Sequence, residues 1–203
     1  MVLKHLTKDD YNRYDKAYSQ INGILNLNVF NYAKYTLGNL ADAMQSDMDE
    51  LSSGTHSFGT QDGIVKVGVR MRNAVLAFCS ALHFHQEHTY NEVKKIHGEG
   101  SKPHRQITTI FNRLFEKSPE YRILYHTRNT MVHCTMETVA ISATTFLSED
   151  GSTKAVTLPA IDLSAIIDLN NEISEKYKDE LREMEPRPLV MNLINESMPL
   201  VVD

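Results

Sequence analysis

The stretch YRILYHTRNTMVHC, residues 121–134, has the spacing of one amphipathic helix, yet Arg128, Asn129 and His133 crowd its last turns. With residue 122 at zero and 100° per step, Arg122, His126, Asn129 and His133 fall within about 60° of one another. Leu124, Thr127, Met131 and Cys134 lie on the opposite side. The spacing predicts a helix over 119–134 that buries the second set and presents the first as a polar stripe. Arg128 stands about 140° from His133, so its long stem has to curl back to share a site with the imidazole. "SPE" at 118–120 supplies the start, a cap followed by Pro at the first helical position.

Upstream, the apolar spacing predicts four more helices. Tyr11, Tyr14, Ala17, Tyr18, Ile21 and Leu25 recur at three and four over 8–26, with Thr7 and Asp10 as a capping pair. Phe30, Ala33, Leu37, Leu40, Ala41 and Met44 mark 29–51, with Asn28 as a candidate cap. A polar linker, SSGTHSFGTQDG, follows. Ile64, Val67, Met71, Val75, Phe78, Leu82 and His85 then carry a long helix over 62–97, stopped at "GEGSKP" and open to a bend on the way. Ile107, Ile110, Phe111 and Leu114 mark 104–116.

After Cys134 the period changes from helical to alternating. Val139, Ile141, Ala143 and Thr145 read as a half-buried strand, "SEDGST" as a turn, and "KAVTLPAI" as a returning strand that Pro159 ends. The expected fold is mainly α: five or six helices with one added β-hairpin. The boundaries are a helical bundle over 1–136, the hairpin at 137–160, one acidic helix at 161–185 and a tail at 186–203, all in a single domain. The tail has enough apolar residues to dock on the core or on a second subunit.

Bulk composition bounds the function. The chain of 203 residues is long enough for one well-buried domain. It carries no run of 18 apolar residues and no apolar leader, and its two cysteines have neither metal-ligand nor disulfide spacing. A cytoplasmic protein with inert thiols at Cys79 and Cys134, without membrane association, is expected. The formal net charge of −5 argues against a general nucleic-acid binder. Its distribution is uneven: residues 94–136 carry 8 Lys/Arg against 3 Asp/Glu, whereas 137–203 carry 5 against 13. A local basic segment on an acidic protein suits a bound phosphate group, or else is a plain solvated face.

The residue types at 122–133 suit phosphodiester chemistry. A guanidinium grips phosphate with paired hydrogen bonds, histidine exchanges protons near neutral pH, and Asn can donate to phosphate or orient the imidazole. RNA brings its own nucleophile, the 2′-hydroxyl, so such a set can cleave it without a metal or any cofactor and leave a 2′,3′-cyclic phosphate end. DNA lacks that hydroxyl and would be refused.

"RNTMVH", 128–133, resembles the R-N-x-x-x-H motif of the HEPN superfamily, helical bundles that carry this motif on a late helix. The resemblance covers six residues and a compatible helical context over about 1–136. It implies a metal-independent endoribonuclease of a toxin or phage-defence system, acting as a homodimer whose subunits share the site, with an antitoxin or other protein partner. Arg128, Asn129 and His133 would then be catalytic: His133 as general acid or base, Arg128 on the scissile phosphate, Asn129 orienting. Arg122, Tyr125 and His126 are candidates for substrate contact. The hairpin and acidic helix depart from the family pattern, which often stops at the motif helix.

Other uses of these residues exist. Some family members have lost cleavage, so the chain could be a non-catalytic RNA-binding or protein-interaction module, or a purely structural dimer. Arg128 could pair with an acid of 162–184, while Asn129 and His133 end the helix by bonding free carbonyls. His83, His85 and His88 do not share one helix face and lack the ligand number zinc needs, though one of them could face an RNA site. Arg70 and Arg72 are further candidates for phosphate, or ordinary solvated arginines. No phosphate-binding glycine loop and no nucleophile elbow is present.

Overall fold

The computed structural model describes residues 7–25, 29–53, 60–149, 151 and 153–202. Within them the protein is mainly helical, with one two-stranded antiparallel hairpin. The helices are α1 (Lys8–Leu25), α2 (Phe30–Ser52), α3 (Gln61–His97), α4 (Lys102–Lys117), α5 (Pro119–His133), α6 (Leu163–Leu169), α7 (Glu175–Arg182) and α8 (Val190–Val202). The strands are β1 (Val139–Leu147) and β2 (Thr153–Ile161).

Local chemistry sets the ends of these elements. Thr7 and Asp10 form the reciprocal capping pair of α1, the Asp10 amide donating to the Thr7 hydroxyl at 3.1 Å. The proposed Asn28 cap of α2 lies outside the described residues. Thr60 and Ser101 cap α3 and α4, accepting from Gly63 N at 3.2 Å and His104 N at 3.3 Å. Gly98, at φ +85°, ends α3 in a conformation that side chains resist. Ser118 caps α5 by accepting from Tyr121 N at 3.1 Å, with Pro119 in the first turn.

The 37-residue α3 runs unbroken and is the spine. It packs against α2, α4, α5 and β1. Met71, Val75, Phe78 and Leu82 of α3 meet Ala33 and Leu40 of α2 and Ile123, Leu124 and Met131 of α5. The same buried cluster continues through Val139, Ile161, Leu163 and Ile166 to Leu181, Val190 and Ile194. Residues 137–203 therefore complete the core rather than decorate it. Each of the Val, Leu, Ile, Phe and Met side chains among them contributes about 1.5–3 kcal/mol by leaving water.

Several sequence expectations are corrected. Eight helices are present among the described residues, not five or six. The single acidic helix at 161–185 is two helices. Asn170 breaks it, because its buried side chain donates to the Thr130 hydroxyl at 3.3 Å and accepts from Glu172 N at 3.0 Å. The tail is a helix, α8, seated on α5, and Pro199 lies inside it. Pro159 does not end β2 but sits within it opposite Ile141, which a two-stranded sheet tolerates because both strands are edges. Only the first residues of β1 are covered, and 142–147 are exposed on both faces. The α1 stripe of Tyr11, Tyr14 and Tyr18 is solvent-exposed, not core.

Candidate functional site

Helix α5 is buried over more than half of its circumference. Tyr121, Ile123, Leu124, His126, Thr127, Thr130 and Met131 all face protein. Beyond the first turn, where Tyr121 is buried, successive 100° steps leave an open arc of about 140° that runs from Arg128 through Val132, Tyr125 and Asn129 to His133. Arg128 and His133 thus stand at the two margins of one open face. Arg128 curls across it: its Nη1 donates to Asn129 Oδ1 at 3.0 Å. Its Nε is sealed from solvent without a hydrogen-bond acceptor among the described residues. No carboxylate lies within ion-pair distance of Arg128 among the described residues. The expected pairing of Arg128 with an acid of 162–184 is not found among the described residues; Glu180 of that segment pairs with Arg122 at 2.5 Å.

His133 is exposed and makes no hydrogen bond among the described residues, so its ring is not spent on ending the helix. The end is made instead by Cys134 N, which donates to Thr130 O at 2.8 Å. Cys134 is exposed, contrary to the near-core expectation, with its thiol 3.3 Å from Leu169 O. Cys79 is buried, which pushes its thiol up to about 12 and leaves it unreactive.

Two of the three expected substrate-contact residues are withdrawn from the open face. Helix α7 covers them. The Arg122 guanidinium lies 3.9 Å from the centre of the Tyr177 ring and is ion-paired to Glu180. His126 is buried between Phe115 and Tyr177, with ring centres at 5.7 and 5.1 Å. The helical wheel has no knowledge of α7, which is why the expected polar stripe is half covered. Burial first, and Arg122 second, pull His126 down to about 4. Tyr125 remains partly open, its ring 5.1 Å from His83 and 5.4 Å from Phe115.

Of His83, His85 and His88 on α3, one of which was expected to face the site, His83 is the one beside it. It reaches the open face of α5 from α3. Burial, and then the nearby Arg128 charge, hold its imidazole below the ordinary value, with Glu87 acting the other way. His85 packs between Phe30 and Phe111, and His88 against Phe84, so the three histidines serve different neighbours. No three metal-ligating side chains converge among the described residues. The only available signal for His83 was its i, i+4 relation to Glu87.

Arg70 and Arg72 are both engaged. Arg70 Nε lies 3.2 Å from Asp47 Oδ1, and its Nη2 lies 3.1 Å from Glu50 Oε2. Arg72 Nε donates to Val139 O at 3.1 Å, pinning β1 to α3. Neither is available to a phosphate.

The neutral, buried His126 gives a pH prediction. Its folded value of about 4 lies below its ordinary 6.5, so protons bind the unfolded chain more readily. Its stabilisation is complete above pH 6.5 and drains away as pH falls toward 4. Urea unfolding of the parent should lose about 2–3 kcal/mol between pH 7 and 4.5 from this group. His126→Phe, which keeps the ring contacts, should lose correspondingly less. Equal acid sensitivity in the two proteins would remove His126 as the cause.

Chemically, the open face offers an unneutralised guanidinium, an amide that positions it, a free imidazole and a second, partly buried imidazole from α3. Comparison of the chain with protein-family models, with curated proteins and with solved structures finds no match.

Proposed function

We propose that the protein is a metal-independent endoribonuclease of HEPN type, a component of a toxin or phage-defence system that works as a homodimer. The observation that carries this reading is the state of Arg128. A cation with its Nε out of water and no carboxylate beside it is costly to keep, and an anionic ligand repays that cost. Asn129 Oδ1 steadies the guanidinium on the side that carries His133. In the reaction, His133 takes the proton of the RNA 2′-hydroxyl or gives one to the leaving 5′-oxygen. Arg128 donates to the non-bridging phosphate oxygens as negative charge builds on them. Two copies of the open α5 face, meeting about a two-fold axis, bring one chain's Arg128 to the other's His133.

The test is incubation of the purified protein with single-stranded RNA in chelator, followed by analysis of the ends. Fragments with 2′,3′-cyclic phosphate are expected, with a rate about 10²–10⁴-fold lower in His133→Ala. Equal cleavage by His133→Ala would dismiss the assignment. RNA bound but left intact by the parent protein would instead favour a non-catalytic binding module.

A further inference from the structure

Helix α4 turns Phe111 and Leu114 into the molecule. Its opposite face is open along its whole length. Lys102, Arg105, Arg113 and Lys117 lie within about 120° of one another there, with Glu116 as the one acid among them. None of the four cations has a carboxylate within ion-pair distance among the described residues. Arg105 is oriented by a hydrogen bond to Gly100 O. Between the cations, Gln106, Thr109 and Ile110 line a shallow groove of about 540 Å³. Ile110 is 59% exposed.

We infer that the outer face of α4 is a binding track for the backbone of single-stranded RNA, formed by Lys102, Arg105 and Arg113 around the exposed Ile110. This rests on the ribonuclease reading and adds to it a surface distinct from the α5 face. Cations from Lys102 to Arg113 span about 16 Å along the helix. That length spans a few consecutive phosphates of a strand. Arg, Lys, Gln and Thr are donors suited to phosphate and sugar oxygens and carry no base preference. An unpaired strand also offers apolar base faces, for which Ile110 stands ready, whereas a duplex hides them. A protein partner would want a broad apolar centre poor in charge; here Ile110 is the one apolar side chain among the polar and cationic groups that line the groove. The remainder of the chain carries a net negative charge, so the clustered cations of α4 add attraction for a polyanion beyond that of Arg128.

The test uses the full chain and a 2′-O-methyl oligoribonucleotide, which lacks the attacking hydroxyl, with binding read by fluorescence anisotropy. The triple variant K102Q/R105Q/R113Q should bind at least 10-fold more weakly, and the slope of log affinity against log salt should fall by about 2, three cations at about 0.7 each. Glu116→Lys should bind more tightly than the parent. The substitutions lie opposite the core face of α4, and an unchanged thermal midpoint checks that the fold is intact. Binding by the triple variant within twofold of the parent would overturn the inference, as would polyglutamate competing as well as RNA. A parent protein that binds through the track but leaves RNA whole supports the inference and sinks the cleavage reading. One that cleaves RNA while the triple variant binds equally well does the reverse.

Discussion

Arg128→Ala is expected to lower RNA cleavage by about 10²–10³-fold, the loss typical of removing one charge-stabilising donor. It should do so without lowering stability. The two halves of this expectation come from the same geometry. Arg128 holds no carboxylate among the described residues, and its one hydrogen bond goes to the neighbouring Asn129. Its Nε is out of water and unmatched, so truncation removes an uncompensated polar group from a desolvated position. Urea unfolding should therefore give a midpoint equal to or above that of the parent. Arg128→Lys should recover little activity, because an ammonium cannot grip phosphate with two parallel bonds. An arginine with a purely structural role predicts the reverse: lost stability in Arg128→Ala and partial recovery with lysine.

Arg70→Met is expected to destabilise the protein by about 3–5 kcal/mol, the cost of leaving a buried charge without its partner. Asp47 is 0% exposed, and Arg70 Nε at 3.2 Å is the cation beside it. Burial raises the Asp47 carboxyl above the usual range, and Arg70 is the main force holding it down. Removing Arg70 pushes the carboxyl higher still. A carboxyl whose folded value lies above its unfolded one gains stability as pH falls, by taking up a proton. The deficit should thus be greatest at neutral pH and shrink on acidification. The double variant D47L/R70M should recover most of the loss, since well-packed apolar residues replace a buried pair at little cost. Denaturant titrations at pH 7 and pH 5 check both the size and the direction. A deficit independent of pH would place its cause in lost packing of the Arg70 stem.

How much of this was legible follows what each signal depends on. The start of α5 is written in adjacent residues, Ser118-Pro119, and was read as found, whereas α4 begins at Lys102 rather than 104, because Ser101 caps it and Pro103 sits in its first turn. The hairpin was visible because alternation and the Gly151 turn are local. The division of the acidic segment into α6 and α7 was not, because Asn170 breaks the helix by bonding Thr130, a partner on another helix. Nor was α8: the segment read as a tail able to dock, but Val190, Leu193 and Ile194 find their reason for helix in a core built elsewhere. At the site, the wheel gave the angle between Arg128 and His133. It could not give the cover of α7 over Arg122 and His126, or the approach of His83 from α3. Those are tertiary facts that the local spacing does not determine.

The central claim is that Arg128 of one chain works with His133 of another on one phosphodiester. Mixing inactive Arg128→Ala and His133→Ala proteins, after unfolding and joint refolding, tests it most directly. In mixed dimers one of the two shared sites is whole, so cleavage should return to about a quarter of the parent rate at equal ratio. Mixed samples as inactive as either variant alone, with dimers present, would contradict the shared site.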